Sequence, residues 1–343
     1  MRYVFICPEL SGNGGTETVL TKVINHVSEK ADVSLLLTTK PDNEYWLNTF
    51  ADKVDIEINN FTESVGKLWF LFTKLFSVKN DTKVIVLGAN LIKYTAIFRK
   101  LFARKWTIIS WIHYSLINQD MFDPQNITYA DKHWAISSPI KEQLIDLGIK
   151  EDDIDLIYNP VKISDDHLNH ADEQDYQIVY VGKVMRDGQK NLQELVEGVK
   201  AYPDPLTVHL IGAEDEGDPI RPMIDVYGLK DQFTFHGWLR DPWAEVLSIK
   251  PKALILTSKY EGLPMVMIEA MSYGIPCLVA NFSGYEDVMI PSVNGYVYRQ
   301  GDIDDLSDKL GKMKEANFDP VIIHDSVNKF SEETYFEGLD QAL

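Results

Sequence analysis

The sequence predicts an α/β protein with two doubly wound domains, each built on a parallel sheet that is covered by helices on both faces. At 343 residues the chain has room for two domains of roughly 150 to 170 residues. Short and almost continuously apolar runs alternate with amphipathic runs, which is typical of parallel strands buried on both faces. The alternation stops once, near residue 160, and then begins again.

The first domain is predicted for residues 1–160. The apolar runs rich in Val and Ile predict its strands: YVFIC, VSLLLTT, KVIVLG, WTIISWIHY, HWAIS and IDLIYNP. Three runs with helical periodicity stand between them: TVLTKVINHVSE, IKYTAIFRKLF and PIKEQLIDLG. Helical connections between successive strands indicate a parallel sheet.

The second domain is predicted for residues 161–320 and opens with an acidic linker that lacks periodicity, VKISDDHLNHADEQDY. Its predicted strands are QIVYVG, LTVHLIG, QFTFHGW, ALILTS and IPCLVA, and its clearest helices are NLQELVEGVKAY and MVMIEAMSY. Residues 321–343, which end in EETYFEGLDQAL, are expected to form a C-terminal helix that packs back on the first domain.

Composition excludes several classes of protein. With 45% hydrophobic and 25% charged residues, the chain matches folded domains rather than disordered ones. The two cysteines, Cys7 and Cys277, lie in separate apolar strands, so we expect reduced core residues rather than a disulfide or a metal site. Because we find neither a signal sequence nor a membrane-spanning run, we expect a cytoplasmic protein. A net charge of −19 and a pI of about 4.8 argue against nucleic acid as a partner.

Charge is distributed unevenly along the chain. Residues 151–343 carry 16 Lys and Arg against 36 Asp and Glu, whereas residues 67–105 carry nine basic residues and a single acid, Asp81. This basic segment also contains large aromatic side chains, a composition that suits an interfacial helix on anionic lipid at the inner face of the cytoplasmic membrane. An ordinary core helix with a solvated basic face is the alternative.

The stretch KYEGLPMVMIEAMSYGIP holds two acids, Glu261 and Glu269, beside a predicted helix that starts near Pro264. It follows the buried strand ALILTS, and open α/β sheets bind ligands at the carboxyl ends of their strands. The backbone N–H groups of residues 262–265 would form an anion site at the start of the helix. Both acids would repel a phosphate, so we expect hydroxyl groups of sugars as their partners. Solvated acids without a role are the alternative.

A second candidate region, YVGKVMRDGQKN, places Gly182 and three cations after a strand. The cations are Lys183, Arg186 and Lys190, and together they could neutralise a diphosphate. Taken singly, Arg186 and Lys190 could equally be surface charges. The early run SGNGGTE permits close approach of a ligand to the backbone. It is not a dinucleotide fingerprint, because Glu17 stands where the third glycine would be, and this argues against a nicotinamide-dependent dehydrogenase.

These motifs resemble those of family-4 glycosyltransferases, enzymes of the GT-B fold. EGLPMVMIEAMSYGIP is similar to the E-x7-E region of that family, and the resemblance extends over most of the chain through GNGGTETVL, WIHYS, AISSPIKEQL, IYNP and VGKVMRDGQKN. It implies two Rossmann-like domains facing across a cleft, with a nucleotide-sugar donor held by the second domain and an acceptor by the first.

The resemblance also implies the roles of individual residues. The catalytic set would be Glu261, His113, Lys183 and Lys190. Donor-binding residues would be Gly14, Gly15, Gly182, Arg186, Gly237, Trp238, Gly262, Leu263, Pro264, Met265 and Glu269. Glu269 would bind the ribose, Glu261 the hexose hydroxyls, and the two lysines the diphosphate. Most of the family has arginine where this chain has Lys183, which removes the bidentate part of that contact.

The implied reaction is a retaining transfer of glucose or galactose from a UDP-hexose to a glycan acceptor on a polysaccharide, glycolipid or glycoprotein. No cofactor or metal is expected. A metal-dependent enzyme with an Asp-x-Asp pair is one alternative, with Asp153 and Asp155 or Asp302 and Asp304 as its candidates. A second alternative is a catalytically weak partner subunit that binds and supports another glycosyltransferase.

Overall fold

The computed structural model describes residues 1–12, 14–117, 122–164 and 176–343. Asn13 of the glycine-rich run and most of the predicted linker, residues 165–175, lie outside the described residues. The chain divides into two units: the first comprises Met1–Pro160 with Tyr335–Leu343, and the second comprises Val161–Thr334.

The first unit is built on a parallel sheet that has seven strands among the described residues, in the order β3-β2-β1-β4-β5-β6-β7. The strands are β1 (Arg2–Cys7), β2 (Asp32–Leu37), β3 (Asp55–Ile58), β4 (Thr82–Val86), β5 (Thr107–Trp111), β6 (Lys132–Ala135) and β7 (Ile154–Leu156). Its helices are α1 (Gly15–Lys30), α2 (Ser64–Ser77), α3 (Ala89–Leu101) and α4 (Ser138–Asp146). The central strands form the core, since most of their residues are buried, as β1 and β4 show, whereas the edge strand β3 has no fully buried residue.

The second unit is built on a parallel sheet that has six strands in the described part of the chain, in the order β10-β9-β8-β11-β12-β13. The strands are β8 (Gln177–Val181), β9 (Thr207–Ile211), β10 (Phe233–Gly237), β11 (Ala253–Leu256), β12 (Cys277–Ala280) and β13 (Gly295–Tyr298). Its helices are α5 (Leu192–Ala201), α6 (Ile220–Val226), α7 (Pro242–Ile249), α8 (Met265–Ser272), α9 (Ile303–Glu315) and α10 (Pro320–Asp325). The last helix, α11 (Glu332–Ala342), begins in this unit and belongs to the first unit from Tyr335 onward. The predicted fold class, two Rossmann-like parallel-sheet domains, is confirmed.

Short 3-10 helices complete the connections at Tyr45–Thr49, Pro124–Tyr129, Glu151–Asp153, Lys230–Gln232 and Asn328–Phe330. Several helices begin at an Asp-Pro pair, as at Asp241-Pro242 and Asp319-Pro320. In each of these the aspartate side chain accepts a backbone N–H of the first turn, and the proline occupies a position where its missing N–H leaves no gap.

The C-terminal segment differs from the single helix expected for residues 321–343. Pro320 starts α10, which ends at Asp325, and a 3-10 turn separates it from α11. Of this C-terminal segment, only Tyr335–Leu343 belongs to the first unit. There the Phe336 ring stacks on His26 with 4.1 Å between ring centroids, and Asp340 pairs with His26 and Lys30 of α1.

Candidate active site

The order in which successive strands are added to the parallel sheet of the second unit reverses once. From β8 the chain continues to β9 and β10 on one side, whereas β11, β12 and β13 follow on the other side. The crevice at the carboxyl ends of β8 and β11 is therefore the topological switch point, where open α/β sheets bind ligands. The loops after these two strands carry most of the predicted site residues.

One ion pair joins these two loops. Lys190 Nζ donates to Glu261 Oε1 at 2.7 Å, and the side chains of Lys190 and Glu261 are only 21% and 12% exposed. From the resemblance we expected Lys190 to contact the diphosphate of the donor and Glu261 to contact its hexose. In the structure a single contact holds both, so a change at either residue also changes the environment of the other.

Two further residues hold the Glu261 carboxylate, and the sequence analysis missed both. Ser258 Oγ donates to Oε1 at 2.7 Å, and Gln189 Nε2 donates to Oε2 at 3.2 Å. Serine and glutamine are common at strand ends, so their identity alone gave no signal. Their positions gave a signal, because Gln189 directly precedes Lys190 and Ser258 is the second residue after β11.

The other two predicted cations also have acidic partners, which corrects the picture of three unopposed charges. Lys183 Nζ lies 2.8 Å from Asp215 Oδ2, and Arg186 makes two contacts of 2.6 and 2.8 Å with the carboxylate of Asp187. These pairs are largely exposed, and exposed pairs contribute only about 0 to 1 kcal/mol. A bound diphosphate can therefore replace the carboxylates at little free-energy cost.

Glycines bring three strand ends of this sheet close together. The Gly182 N–H donates to Ile211 O at 2.9 Å, and the Gly212 N–H donates to Gly237 O at 2.8 Å. A side chain at Gly212 would overlap the carbonyl oxygen of Gly182. The Gly237 carbonyl accepts this one N–H, and Trp238, the next residue after β10, has an indole ring that is 59% exposed.

The start of α8 offers fewer donors than the four residues 262–265 suggested. Pro264 is the N-cap rather than the first helical residue, and it has no N–H. The Met265 N–H donates to Leu263 O at 2.9 Å. Within the described residues, the N–H groups of Gly262 and Leu263 have no hydrogen-bond partner, so these two remain for an anion. Glu269 lies one turn further along α8 and is half-buried.

The Glu17 side chain forms hydrogen bonds to the glycine-rich run of the first unit. This carboxylate is 5% exposed, and its Oε1 accepts the Gly12 N–H at 2.6 Å and the Ser11 hydroxyl at 2.9 Å. Gly14 caps α1 and Gly15 is its first residue; a side chain at Gly14 would come within 2.7 Å of Glu17 Oε2. The residue that breaks the dinucleotide pattern thus shapes the loop that replaces it.

His113 follows β5 in the same unit. Its Nε2 atom is buried and has no hydrogen-bond partner in the part of the chain that the structure describes. The ring lies 4.6 Å from the Trp111 ring, between centroids. Burial lowers the pKa of His113 to about 3, so the imidazole is neutral near pH 7.

One acid of each pair that suggested a metal has a structural partner. Asp153 Oδ1 pairs with Lys132 Nζ at 2.8 Å, and Asp302 Oδ1 caps α9 by accepting the Asp305 N–H at 2.9 Å. Among the described residues, no three His, Cys, Asp or Glu side chains come together as a possible metal site.

The basic segment, residues 67–105, contributes to both the core and the surface. Helix α2 buries Phe70, Leu71 and Leu75. Its other face exposes Trp69 by 62%, and Leu101 at the end of α3 is 68% exposed. The described helices include none with the length and apolar character needed to cross a membrane.

Comparisons with known proteins agree with this geometry. A profile described as "Glycosyl transferases group 1" matches residues 163–335. The chain is 32% identical to the lipopolysaccharide 1,6-galactosyltransferase of Salmonella typhimurium and 30% identical to that of Escherichia coli K12. In each case the match covers 100% of this chain and 98% of the relative. The sequence blocks quoted above resemble the same type of enzyme.

Solved structures give the same fold. The apo form of the lipopolysaccharide outer core galactosyltransferase WaaB superposes with a TM-score of 0.86, at 31% identity and over 100% of this chain and 99% of WaaB. Anabaena Alr3699/HepE in complex with UDP-glucose superposes with a TM-score of 0.79, at 15% identity and over 99% of this chain and 98% of that one. The GT-B fold that the resemblance implied is thereby confirmed.

Proposed function

The chain belongs to the group 1 glycosyl transferases, and from this premise we propose that it transfers a hexose from a UDP-sugar to a glycolipid acceptor with retention of anomeric configuration. Galactose is the first candidate, because two relatives of full length are named galactosyltransferases, and glucose is the second. We also propose that the chain is a family-4 glycosyltransferase. The observation that carries the proposed function is the Lys190–Glu261 pair at the switch point of the second sheet.

The donor would lie along the carboxyl edge of this sheet. Lys190, Lys183 and Arg186 would neutralise the diphosphate, with the free N–H groups at the start of α8 as further donors. The exposed Trp238 indole would stack on the base. Glu269 would accept a ribose hydroxyl, and Glu261 would accept a hydroxyl of the transferred hexose.

For the chemical step we propose a same-face substitution within a tight ion pair. The bond between C1 of the hexose and the diphosphate oxygen breaks, the bond from C1 to the acceptor oxygen forms, and the acceptor proton passes to the leaving phosphate. The cations stabilise the charge that develops on the leaving group. The catalytic and donor-binding roles that the resemblance gives to His113, Gly14 and Gly15 stay predictions.

Turnover of a panel of UDP-sugars tests this proposal. We expect transfer or slow hydrolysis of UDP-galactose or UDP-glucose, undiminished by EDTA, and a product with the anomeric configuration of the donor by NMR. An inverted product would contradict retention, and activity abolished by EDTA and restored by Mn²⁺ would contradict metal independence. Tight binding of UDP-sugars without any turnover would instead support a catalytically weak partner subunit.

A second observation concerns the acceptor. The face of α2 and α3 combines exposed large side chains with lysines and arginines, and we propose that it contacts the anionic inner face of the cytoplasmic membrane. Some of the basic residues have acidic partners, since Lys74 pairs with Glu57 and Arg99 with Asp131. The contact would bring the first unit to a lipid-linked acceptor.

Cosedimentation with vesicles tests the membrane contact. We expect binding to phosphatidylglycerol vesicles that weakens as salt screens the exposed charges. Trp69→Ala should reduce it, whereas Tyr129→Ala, a control that removes an aromatic ring 48% exposed in the same unit, should not. Equal binding of parent and Trp69→Ala, or no binding at any salt concentration, would contradict this contact.

A further inference from the structure

The Glu261 carboxylate has little acceptor capacity left. Each carboxylate oxygen offers two lone pairs. Lys190 Nζ and Ser258 Oγ, each at 2.7 Å, occupy both positions of Oε1. Gln189 Nε2, at 3.2 Å, occupies one position of Oε2. The remaining position on Oε2 is therefore the one that can receive a further hydroxyl group.

We propose that Ser258 and Gln189 are positioning residues, which aim Oε2 of Glu261 at a hydroxyl of the transferred hexose. This inference rests on the proposed function. It adds two residues to which the sequence assigned no role, and it identifies Oε2 as the atom of Glu261 that contacts the sugar.

Both residues are themselves fixed in place. The side chain of Ser258 is fully buried, and its carbonyl oxygen accepts Gln300 Nε2 at 2.9 Å. Gln189 is held at two points, because its carbonyl oxygen accepts the Lys259 N–H at 2.8 Å and its side-chain amide donates to Tyr260 O at 3.0 Å. A donor group whose own origin is fixed can set the direction of the carboxylate that accepts from it.

Lys190 cannot set this direction alone. Its ammonium group is a flexible point charge with three N–H donors, of which Glu261 takes one. The other N–H groups can serve the diphosphate, so Lys190 can link Glu261 to the leaving group. The orientation of the carboxylate plane is left to Ser258 and Gln189, which contact both of its oxygens.

A double-mutant cycle on turnover of UDP-galactose and UDP-glucose tests the proposal. We expect Ser258→Ala and Gln189→Met each to lower kcat by at least roughly tenfold, the lower end of the range for one hydrogen bond to a charged group, with the affinity for UDP unchanged. In a Glu261→Ala background the same changes should have almost no further effect, because the group they position is gone. Ser258→Thr, which keeps a hydroxyl, should recover part of kcat.

Controls separate positioning from folding. Ser28→Ala removes a buried hydroxyl that donates to Asn25 O at 2.7 Å in α1, so it reports the effect of losing one buried hydrogen bond elsewhere. Losses of kcat that persist in the Glu261→Ala background, or variants with parental kcat, would overturn the inference while leaving the proposed function intact. If Ser258→Ala does not fold, Gln189→Met at the half-buried site decides alone. A parent protein that turns over no UDP-hexose would overturn the proposed function and this inference together.

Discussion

The two sheets have the same kind of switch point and differ in what lies there. In the second unit, Lys190 from the loop after β8 contacts Glu261 from the loop after β11, so charge bridges the crevice. In the first unit the switch point lies between β1 and β4, and the acid of its glycine-rich run, Glu17, turns inward onto the backbone of its own loop. Each sheet therefore has one crevice at its switch point, and the side chains around that crevice determine which ligands it can bind.

The difference suits two kinds of ligand. A paired cation and carboxylate at a crevice can exchange partners with a diphosphate and a sugar hydroxyl, which are the groups of a nucleotide-sugar. A loop whose acid is hydrogen-bonded to its own backbone presents backbone and uncharged groups, and His113, after β5 of the same sheet, is neutral as well. This suits a glycan acceptor. Charge at the second crevice should therefore control binding of the donor, whereas Glu17 at the first should contribute to stability.

The largest effect is expected for Glu261→Gln. Turnover of the UDP-hexose should fall by at least roughly a hundredfold, because the change removes the charge that we propose contacts the sugar and replaces one acceptor oxygen by an N–H donor. UDP itself should bind at least as tightly as to the parent, since a repelling carboxylate is lost beside Lys190. Turnover and calorimetry on the same preparation check both expectations. A loss of UDP affinity equal to the loss of turnover would show that Glu261 binds the nucleotide.

Glu269→Gln should act on the nucleotide rather than on turnover. Loss of a charge-assisted hydrogen bond to the ribose should weaken UDP by roughly 10- to 150-fold, or about 1.5 to 3 kcal/mol. Titration of UDP without sugar measures this, with circular dichroism as the control for folding. Parental affinity for UDP would remove Glu269 from the ribose site.

The sequence could predict the sheets but not the contacts across them. The alternation of apolar and amphipathic runs follows from burial on both faces and is visible in a single sequence. Lys190 and Glu261 are 71 residues apart, and their contact depends on β8 lying next to β11. The hydrogen bond of Gln189 to Glu261, which spans 72 residues, depends on the same long-range order. Similarly, the inward direction of Glu17 follows from loop geometry that the letters SGNGGTE do not reveal.

In the first unit, Glu17→Gln should reduce stability. The buried Glu17 carboxylate accepts two hydrogen bonds. Its replacement with a neutral amide should lower the free energy of unfolding by about 1 kcal/mol. Urea unfolding measures the change, with Glu29→Gln as an exposed control on the same helix. Equal stability of both variants would mean that the Glu17 charge does not hold the loop.

The smallest effect concerns pH. The pKa of His113 is about 3 in the folded protein because of burial, below the value of about 6.5 in an unfolded chain. The contribution of this pKa difference to stability is complete when the pH is above the pKa of the unfolded chain, about 6.5. It is lost as the pH falls from about 6.5 toward 3. Between about pH 7 and about pH 6 the parent should lose about 0.7 kcal/mol more than His113→Phe. His133, with its pKa lowered to about 4, is present in both proteins and cancels. Parallel stability curves for the two proteins would contradict a neutral, buried His113.

The most direct test of the central claim, that charge at the second switch point binds the donor, is calorimetric titration of UDP into Lys190→Gln. Removal of this cation should weaken UDP by roughly 10- to 150-fold. Lys132→Gln, which breaks a similar pair with Asp153 in the first unit, should bind UDP as the parent does. Parental affinity in Lys190→Gln, or an equal loss in both variants, would show that the donor does not depend on charge at this crevice.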